Sequence, residues 1–521
     1  MQKEDVLIAG EWRAASGSDT FQAANPATKE TLAPLYPVSS WADCDAALEC
    51  ASEAFEVMSK MSGDQIAKFL GAYADLIEAN STKLVEIANQ ETGLPASPRL
   101  GDVELPRTTG QLRQAADAAR NGTWKQPTID SANGIRSCLG PLGPVCVFGP
   151  NNFPFAFNSA AGGDFAAAIA AGNPVIAKAN TSHPGTTKAL AELAAEAAVA
   201  TGMPTGTVQL IYRTSHEDGA KLVSDPRIGA TGYTGSRHAG LTLKKAADEA
   251  GKPIYLELSS VNPVVILPGS IKENGIEATA SEFSGSCLMG TGQFCTNPGL
   301  VVLIQDENTD ELISTIGQQF ENAPDGVLLS SGVEKSLSES HKILQEAGAE
   351  VVSGTGEGKN DGFSCRNTLL KASGAEFIAS PEALQTEAFG NCSLIVVAKD
   401  LDEATGVLSS LEGNLTGCIY SAKDGSDDAA YDHLEPVLRR KVGRLLNDKM
   451  PTGVAVSPAM NHGGPFPATG HPGFTAVGIP ASIVRFGALH CYDNVRQDRL
   501  PDILKDSYSG PAQRFIDGKW S

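Results

Sequence analysis

Apolar side chains in the first 121 residues recur three and four positions apart. Residues 42–60, 62–80, 81–93 and 103–121 are each read as an amphipathic helix on that spacing. Ahead of them, residues 6–12 and Asn25-Pro26 read as an opening hairpin and a turn. From Pro141 the rhythm shifts to short apolar runs of strand length. Val145-Cys146-Val147-Phe148 is the first, followed by a tight turn at 149–154, an alanine-rich helix at 157–171 and a strand at 174–178. A helix at 184–201 follows, with Pro184 suited to its first turn. Strands at 207–211, 228–233 and 254–258 come next, separated by helices. A second alternation begins at 262–267 and runs to about Gly453, with strands at 300–304, 393–398 and 417–421. Strand and helix alternating in this way predict an α/β fold of parallel, doubly wound sheets, whose ligand sites lie at the carboxyl ends of the strands.

Composition narrows the function classes. The 521 residues are enough for two or three hydrophobic cores, and 41% hydrophobic with 19% charged residues is a soluble balance. A net charge of −21 argues against nucleic acid or an anionic membrane as partner. Ten cysteines stand singly, with no CxxC and no metal-ligand spacing, which predicts free thiols, a reducing compartment and no metal site. The charged N-terminus lacks the apolar core of a signal peptide, and the uncharged stretch 137–163 is broken by prolines. A soluble cytoplasmic protein is expected.

The stretch with the most pointed chemistry is Gly290-Thr291-Gly292-Gln293-Phe294-Cys295-Thr296-Asn297-Pro298-Gly299. It lies between a small-residue helix at 278–288 and the strand at 300–304. Its glycines suggest close approach of the backbone to a ligand, and Cys295 would present a thiolate to a small electrophile. A single cysteine in a large chain is more often structural, so the neighbours decide. No GxGxxG motif is present, and Gly354-Thr355-Gly356-Glu357-Gly358 has no strand-to-helix context. Tyr233-Thr234-Gly235-Ser236 ends a strand and opens a helix, a place that favours phosphate. The glycine- and proline-rich run 461–469 reads as a cover over a pocket. Ile483 to Arg485 and the tail read as peripheral, a place for subunit contacts. Ile516-Asp517-Gly518-Lys519-Trp520 echoes Ile8-Ala9-Gly10-Glu11-Trp12 with no function assigned.

Five motifs in order, Pro150-Asn151-Asn152-Phe153-Pro154, Ala177-Lys178-Ala179-Asn180-Thr181, Leu256-Glu257-Leu258-Ser259-Ser260, Gly292-Gln293-Phe294-Cys295 and Glu387-Ala388-Phe389-Gly390, resemble the aldehyde dehydrogenase superfamily. The resemblance spans about residues 7–504. Finer motifs, among them Gly162-Gly163-Asp164, Ser182-His183-Pro184-Gly185-Thr186 and Gly464-Pro465-Phe466-Pro467-Ala468-Thr469, are similar to the α-ketoglutaric semialdehyde and bacterial fatty-aldehyde dehydrogenases. It implies two doubly wound parallel-sheet domains plus a small oligomerisation element. The cofactor domain would take 1–128 and 147–258, the catalytic domain 259–455, and the oligomerisation or peripheral segments 129–146 and 484–521. Residues 456–483 would return over the active site. A homodimer or homotetramer is implied.

The resemblance also implies roles. Cys295 would be the nucleophile, Asn152 an oxyanion donor, Glu257 the base for hydrolysis, and Lys178 part of the machinery. Lys178, Thr181, His216, Gly235, Ser236, Glu387 and Phe389 would hold the cofactor. NAD-preferring relatives carry a glutamate where this chain has Thr181, so NADP is favoured with NAD possible. His216 stands where NADP-selective relatives place an arginine. The implied reaction oxidises a small-molecule aldehyde, with α-ketoglutaric semialdehyde first and broad or long-chain aldehydes the alternative. A CoA-acylating relative is disfavoured by Glu257, an idle family member by the complete residue set, and a cysteine hydrolase because no histidine sits in a motif that would pair with Cys295. No cation for a substrate carboxylate is identified.

Overall fold

The computed structural model describes residues 3–521. Two seven-stranded sheets carry the molecule. In the first, Ile254–Glu257, Ala230–Thr234, Val145–Phe148, Val175–Lys178 and Val208–Ile211 run parallel in that spatial order. The N-terminal hairpin Val6–Ile8 and Glu11–Arg13 closes that edge antiparallel to Val208–Ile211. In the second, Thr368–Ser373, Cys392–Ala398, Leu300–Ile304, Val264–Ile266, Asn414–Tyr420 and Val442–Asn447 are parallel, with Glu350–Ser353 antiparallel at one edge. Continuous apolar runs such as Val145–Phe148 and Leu300–Ile304 follow from burial of both faces under helices. Doubly wound parallel sheets are thus what the alternation dictated.

The helices Trp41–Met58, Gly63–Ala79, Ser81–Thr92 and Leu105–Asn121 pack against the first sheet and share its core. The last is preceded by a wider, irregular winding at Ala96–Glu104. One helix is shorter than its composition suggests. Alanine content predicts a helix over 157–171, but only Gly163–Ala170 is helical. Residues 157–162 turn back on themselves, and a Cβ on Gly162 would lie 2.5 Å from the Phe157 Cα. Tight backbone contact overrides propensity there.

A separate five-stranded sheet joins Gly487–Asp493, Ile135–Pro141, Thr128–Asp130, Phe515–Ile516 and Lys519–Trp520. The strand of the first sheet begins at Val145, so the segment that builds this smaller sheet stops before residue 145. The echo between the chain ends has a local cause. Ile8 pairs with Glu11 and Ile516 with Lys519, each across a two-residue turn with positive φ (58° and 75° at Ala9-Gly10, 47° and 83° at Asp517-Gly518). Both are two-residue hairpins of the same hand, in different sheets.

The reading of Ile483 to Arg485 as peripheral is corrected. Ile483 and Phe486 are fully buried in the main core, and Arg485 bonds Asp164 at 2.5 Å while lying between the Phe474 and Phe486 rings. An arginine just after the short apolar helix Ala481–Val484 looks solvated in sequence because its carboxylate partner is 321 residues away. Among the described residues no helix is long and apolar enough to cross a membrane.

One buried carboxylate organises the helix behind Lys178. Glu91 accepts from Gly185 N at 2.7 Å, Thr186 N at 2.8 Å and Thr186 Oγ1 at 2.8 Å, closing the N-terminus of Pro184–Thr201. Glu91→Ala strands those donors in the interior and should lower stability by about 2–3 kcal/mol. The urea midpoint measures it; an unchanged midpoint would show that the cap contributes nothing.

Candidate active site

The carboxyl ends of both sheets face a cleft of about 540 Å³. Asn152, Thr181, Gly235, Ser236, Glu257, Cys295, Glu387 and Phe389 all line it. Lys178 ends the adjoining strand but is not in the lining, its ammonium sitting 5.9 Å from the Phe148 ring centre. His216 opens the helix His216–Ser224, exposed and outside the cleft. Eight of the ten residues singled out therefore converge.

Glu257 is the last residue of its strand, and the chain on both sides is pinned. Its carbonyl accepts from Gly235 N at 3.1 Å, which ties the Thr234–Ser236 turn to it. Leu258 N donates to Ala468 O at 2.8 Å and Gly470 N to Leu256 O at 3.1 Å, so residues 468–470 pair along the open edge of the first sheet. That pairing sets down the loop 461–469. His462, buried within it, places Nε2 2.8 Å from Glu257 Oε1 and 3.4 Å from Cys295 Sγ. Glu257 Oε2 is buried without a partner.

This overturns the expectation that no histidine pairs with Cys295. His462 stands 167 residues from Cys295 and 205 from Glu257. Its loop has no periodicity to predict a direction, so only the pairing of 468–470 on the sheet edge reveals the contact. The argument against a cysteine hydrolase that rested on a missing histidine falls with it.

Cys295 is positioned by two asparagines. Asn262 Nδ2 donates to Cys295 O at 2.9 Å and Asn297 O at 2.8 Å. Asn414 Oδ1 in turn accepts from the amides of Val261 and Asn262. Ser260 Oγ donates to Asn262 Oδ1 at 2.9 Å, so serine there joins the network. Gly292, at φ +66°, serves a different neighbour from the one expected: a Cβ there would lie 2.0 Å from Gly390 O. The glycine lets the nucleophile loop pack against the Glu387–Gly390 segment. Asn152 Nδ2 donates to Gln293 O at 3.0 Å, which sets its amide beside the same loop. Asn180 Nδ2 donates to Gly149 O at 3.0 Å, tying two strand ends together.

Electrostatics favour a resting thiol. Burial, then the Glu257 carboxylate beside it, push the Cys295 thiol well above its usual range, although the side chain keeps some opening to the cleft. A thiolate must therefore be made by proton transfer to a neighbour rather than stand preformed. Burial pushes Glu387 up to about 7. Burial lowers Lys178 to about 8, with Arg213 close enough to act in the same direction.

The cleft suits a dinucleotide. Helix Arg237–Glu249 presents its N-terminus at Gly235-Ser236, whereas the helix from Pro184 is already closed by Glu91. One ligand atom each from Glu257, Cys295 and His462 lie within 4.8 Å of one another, already joined by hydrogen bonds.

A cysteine, a carboxylate and an imidazole thus meet in a cleft between two doubly wound sheets. Residues 12–435 match the aldehyde dehydrogenase family, and the chain belongs to it: it is an oxidoreductase acting on aldehydes. It is 40% identical to alpha-ketoglutaric semialdehyde dehydrogenase 2 of Azospirillum brasilense, over 100% of both chains. It is 36% identical to the alpha-ketoglutaric semialdehyde dehydrogenase of Acinetobacter baylyi over 97% of each. In fold it is similar to the 1-pyrroline-5-carboxylate dehydrogenase from Thermus with bound NAD (TM-score 0.81, 22% identity, 94% of this chain and 92% of that one).

The contact at His462 makes a direct test of the thiol. His462→Ala should slow alkylation of Cys295 by iodoacetamide near neutral pH by about tenfold or more, with the rate recovering at high pH. Peptide mass spectrometry separates Cys295 from the exposed Cys491. An equal rate in both proteins would remove His462 from thiol activation.

Proposed function

We propose that the chain oxidises α-ketoglutaric semialdehyde to 2-oxoglutarate with NADP favoured over NAD. The observation that carries the chemistry is the Cys295–His462–Glu257 contact at the inner end of the cleft. The substrate reading rests on full-length similarity to two proteins so named.

In this mechanism the Cys295 proton passes to the Glu257 carboxylate, which the His462 Nε2–H holds beside the thiol, and Glu257 gives it up to solvent before hydrolysis. The thiolate sulfur bonds to the aldehyde carbon. The new oxyanion is held by the Cys295 N–H and by the Asn152 amide hydrogen not engaged with Gln293. A bound nicotinamide dinucleotide supplies the hydride acceptor for the next step, which leaves a thioester on Cys295. Thr181, Gly235, Ser236, Glu387 and Phe389, all in the lining of the cleft, would bind and orient that cofactor. Glu257 Oε2, buried and unpartnered, takes a proton from water as it attacks the thioester. The carbon–sulfur bond breaks, carboxylate leaves, and the thiol is restored.

Support for NADP comes from charge. Thr181 faces the cleft without a carboxylate, and Lys178 lies beside Arg213, a second cation at the same sheet end. Arg213 went unremarked in the sequence because it sits just past a strand end rather than within a motif. Like His216 it is exposed and outside the cleft lining, so it acts on Lys178 by charge alone.

The substrate reading is tested by kcat/KM for α-ketoglutaric, succinic and long-chain aldehydes, each with NAD and NADP. The five-carbon semialdehyde should lead; preference for long-chain aldehydes would overturn the assignment. Glu257→Gln should release one equivalent of reduced cofactor and then stall, with the acyl-enzyme visible by intact mass. Steady turnover at the wild-type rate would remove Glu257 from hydrolysis. Thr181→Glu should turn selectivity toward NAD. Like charges about 4 Å apart repel by roughly 4 kcal/mol at an effective dielectric near 20. Relaxation reduces this to a shift of about tenfold to a hundredfold in the NADP-to-NAD ratio. An unchanged ratio would show that Thr181 does not face the 2′ position.

A further inference from the structure

Four arginines reach into the interior around the cleft and the loop that covers it, and three have partners. Arg99 pairs with Glu104 and donates to Asn152 O at 2.9 Å. Arg444 donates to the carbonyls of Pro451 and Gly453, and Arg485 pairs with Asp164. Arg107 has none. Its Nε and Nη2 are buried without a hydrogen-bond partner among the described residues, and it forms no ion pair there. Its guanidinium lies 5.6 Å from the Phe153 ring centre and 5.2 Å from that of Phe157.

No carboxylate pairs directly with Arg107 among the described residues. Glu104 is the carboxylate at hand, and it is fully used. One oxygen holds Arg99 and the other accepts from Phe155 N at 2.8 Å and Ala156 N at 3.0 Å. Glu257 is held by His462. Arg107 is thus left without an ion-pair partner beside two aromatic rings, and a guanidinium whose buried nitrogens go unpaired is unfavourable unless an anion arrives. A chain of contacts leads from it to the chemistry. The Phe157 ring is 5.9 Å from that of His462, which touches Cys295. The Phe153 ring is 5.5 Å from that of Phe294, the residue before Cys295. Burial lowers Arg107, while Glu104, Cys295 and Glu257 oppose that shift, so its charge is felt at the thiol.

We infer that Arg107 binds the carboxylate of an ω-oxo acid substrate, holding the acid end beyond Phe153 and Phe157 while the aldehyde end reaches Cys295. The guanidinium offers a planar fork that matches a carboxylate in two parallel hydrogen bonds. The helix Leu105–Asn121 that carries it, with no chemistry of its own in the sequence, becomes the wall that selects substrates. This rests on the reading of the substrate as an aldehyde bearing a carboxylate.

The test compares wild type, Arg107→Met and Arg107→Lys on α-ketoglutaric semialdehyde, glutaric semialdehyde and pentanal. The quantity read is the acid-to-neutral ratio of kcat/KM. Arg107→Met should lower that ratio by about a hundredfold, mainly through KM of the acids, and Arg107→Lys should restore part of it. Circular dichroism and the urea midpoint identify a folding defect, which lowers all three substrates together and leaves the ratio intact. A ratio unchanged in Arg107→Met overturns the proposal. Should wild type fail to prefer α-ketoglutaric semialdehyde, the substrate assignment falls. The glutaric semialdehyde-to-pentanal ratio then still decides whether Arg107 reads a carboxylate.

Discussion

A single imidazole nitrogen stands between a thiol and a carboxylate, and the rest of the molecule arranges for that meeting. Glu257 comes from the end of a strand in the first sheet, Cys295 from a loop entering the second, and His462 from a segment that belongs to neither. The partners are held by backbone contacts more than by one another. Asn262 fixes the carbonyl of Cys295, Gly235 N fixes that of Glu257, and pairing of 468–470 along the strand from Ile254 fixes the loop of His462. Distances near 3 Å between side chains on three separate elements demand this, because each side chain alone has several rotamers.

The thiol's environment sets how the site is used. A buried sulfur beside a carboxylate is costly to ionise. The same burial that keeps Cys295 neutral at rest strengthens any hydrogen bond to a new oxyanion in that place. An acidic exterior, −21 overall, surrounds an interior where Arg99, Arg107 and Arg444 gather around the cleft. Net charge argues about partners at the surface and says nothing of the positive charge of Arg107 and Arg444 felt at Cys295.

Most of the scaffold was legible because strand length and helical spacing are local properties. Boundaries such as Pro184–Thr201 and Leu300–Ile304 match their expected ranges, since proline, glycine and β-branched runs mark them. Cys295, Glu257 and Asn152 were singled out through motifs that resemble the family, and the fold brings all three to one cleft. His462 was not, for a histidine in an irregular loop carries no directional signal. Arg107 was hidden differently. Its helical spacing is ordinary, and its lack of a partner is a fact of three dimensions. The overlong helix at 157–171 and the misjudged Arg485 share one cause: contacts with distant backbone or a distant carboxylate outweigh local composition.

The covering loop touches the second sheet where Gly464 passes so near Asn414 O that a Cβ would lie 2.2 Å from it, and the first sheet through residues 468–470. A few residues thus span the seam between the two bodies, and a span that short works as a strap of set length. The strap ties the two sheets to each other at the mouth of the site. Any jaw-like opening wide enough to admit substrates from the side would first peel the strap from the sheet edge.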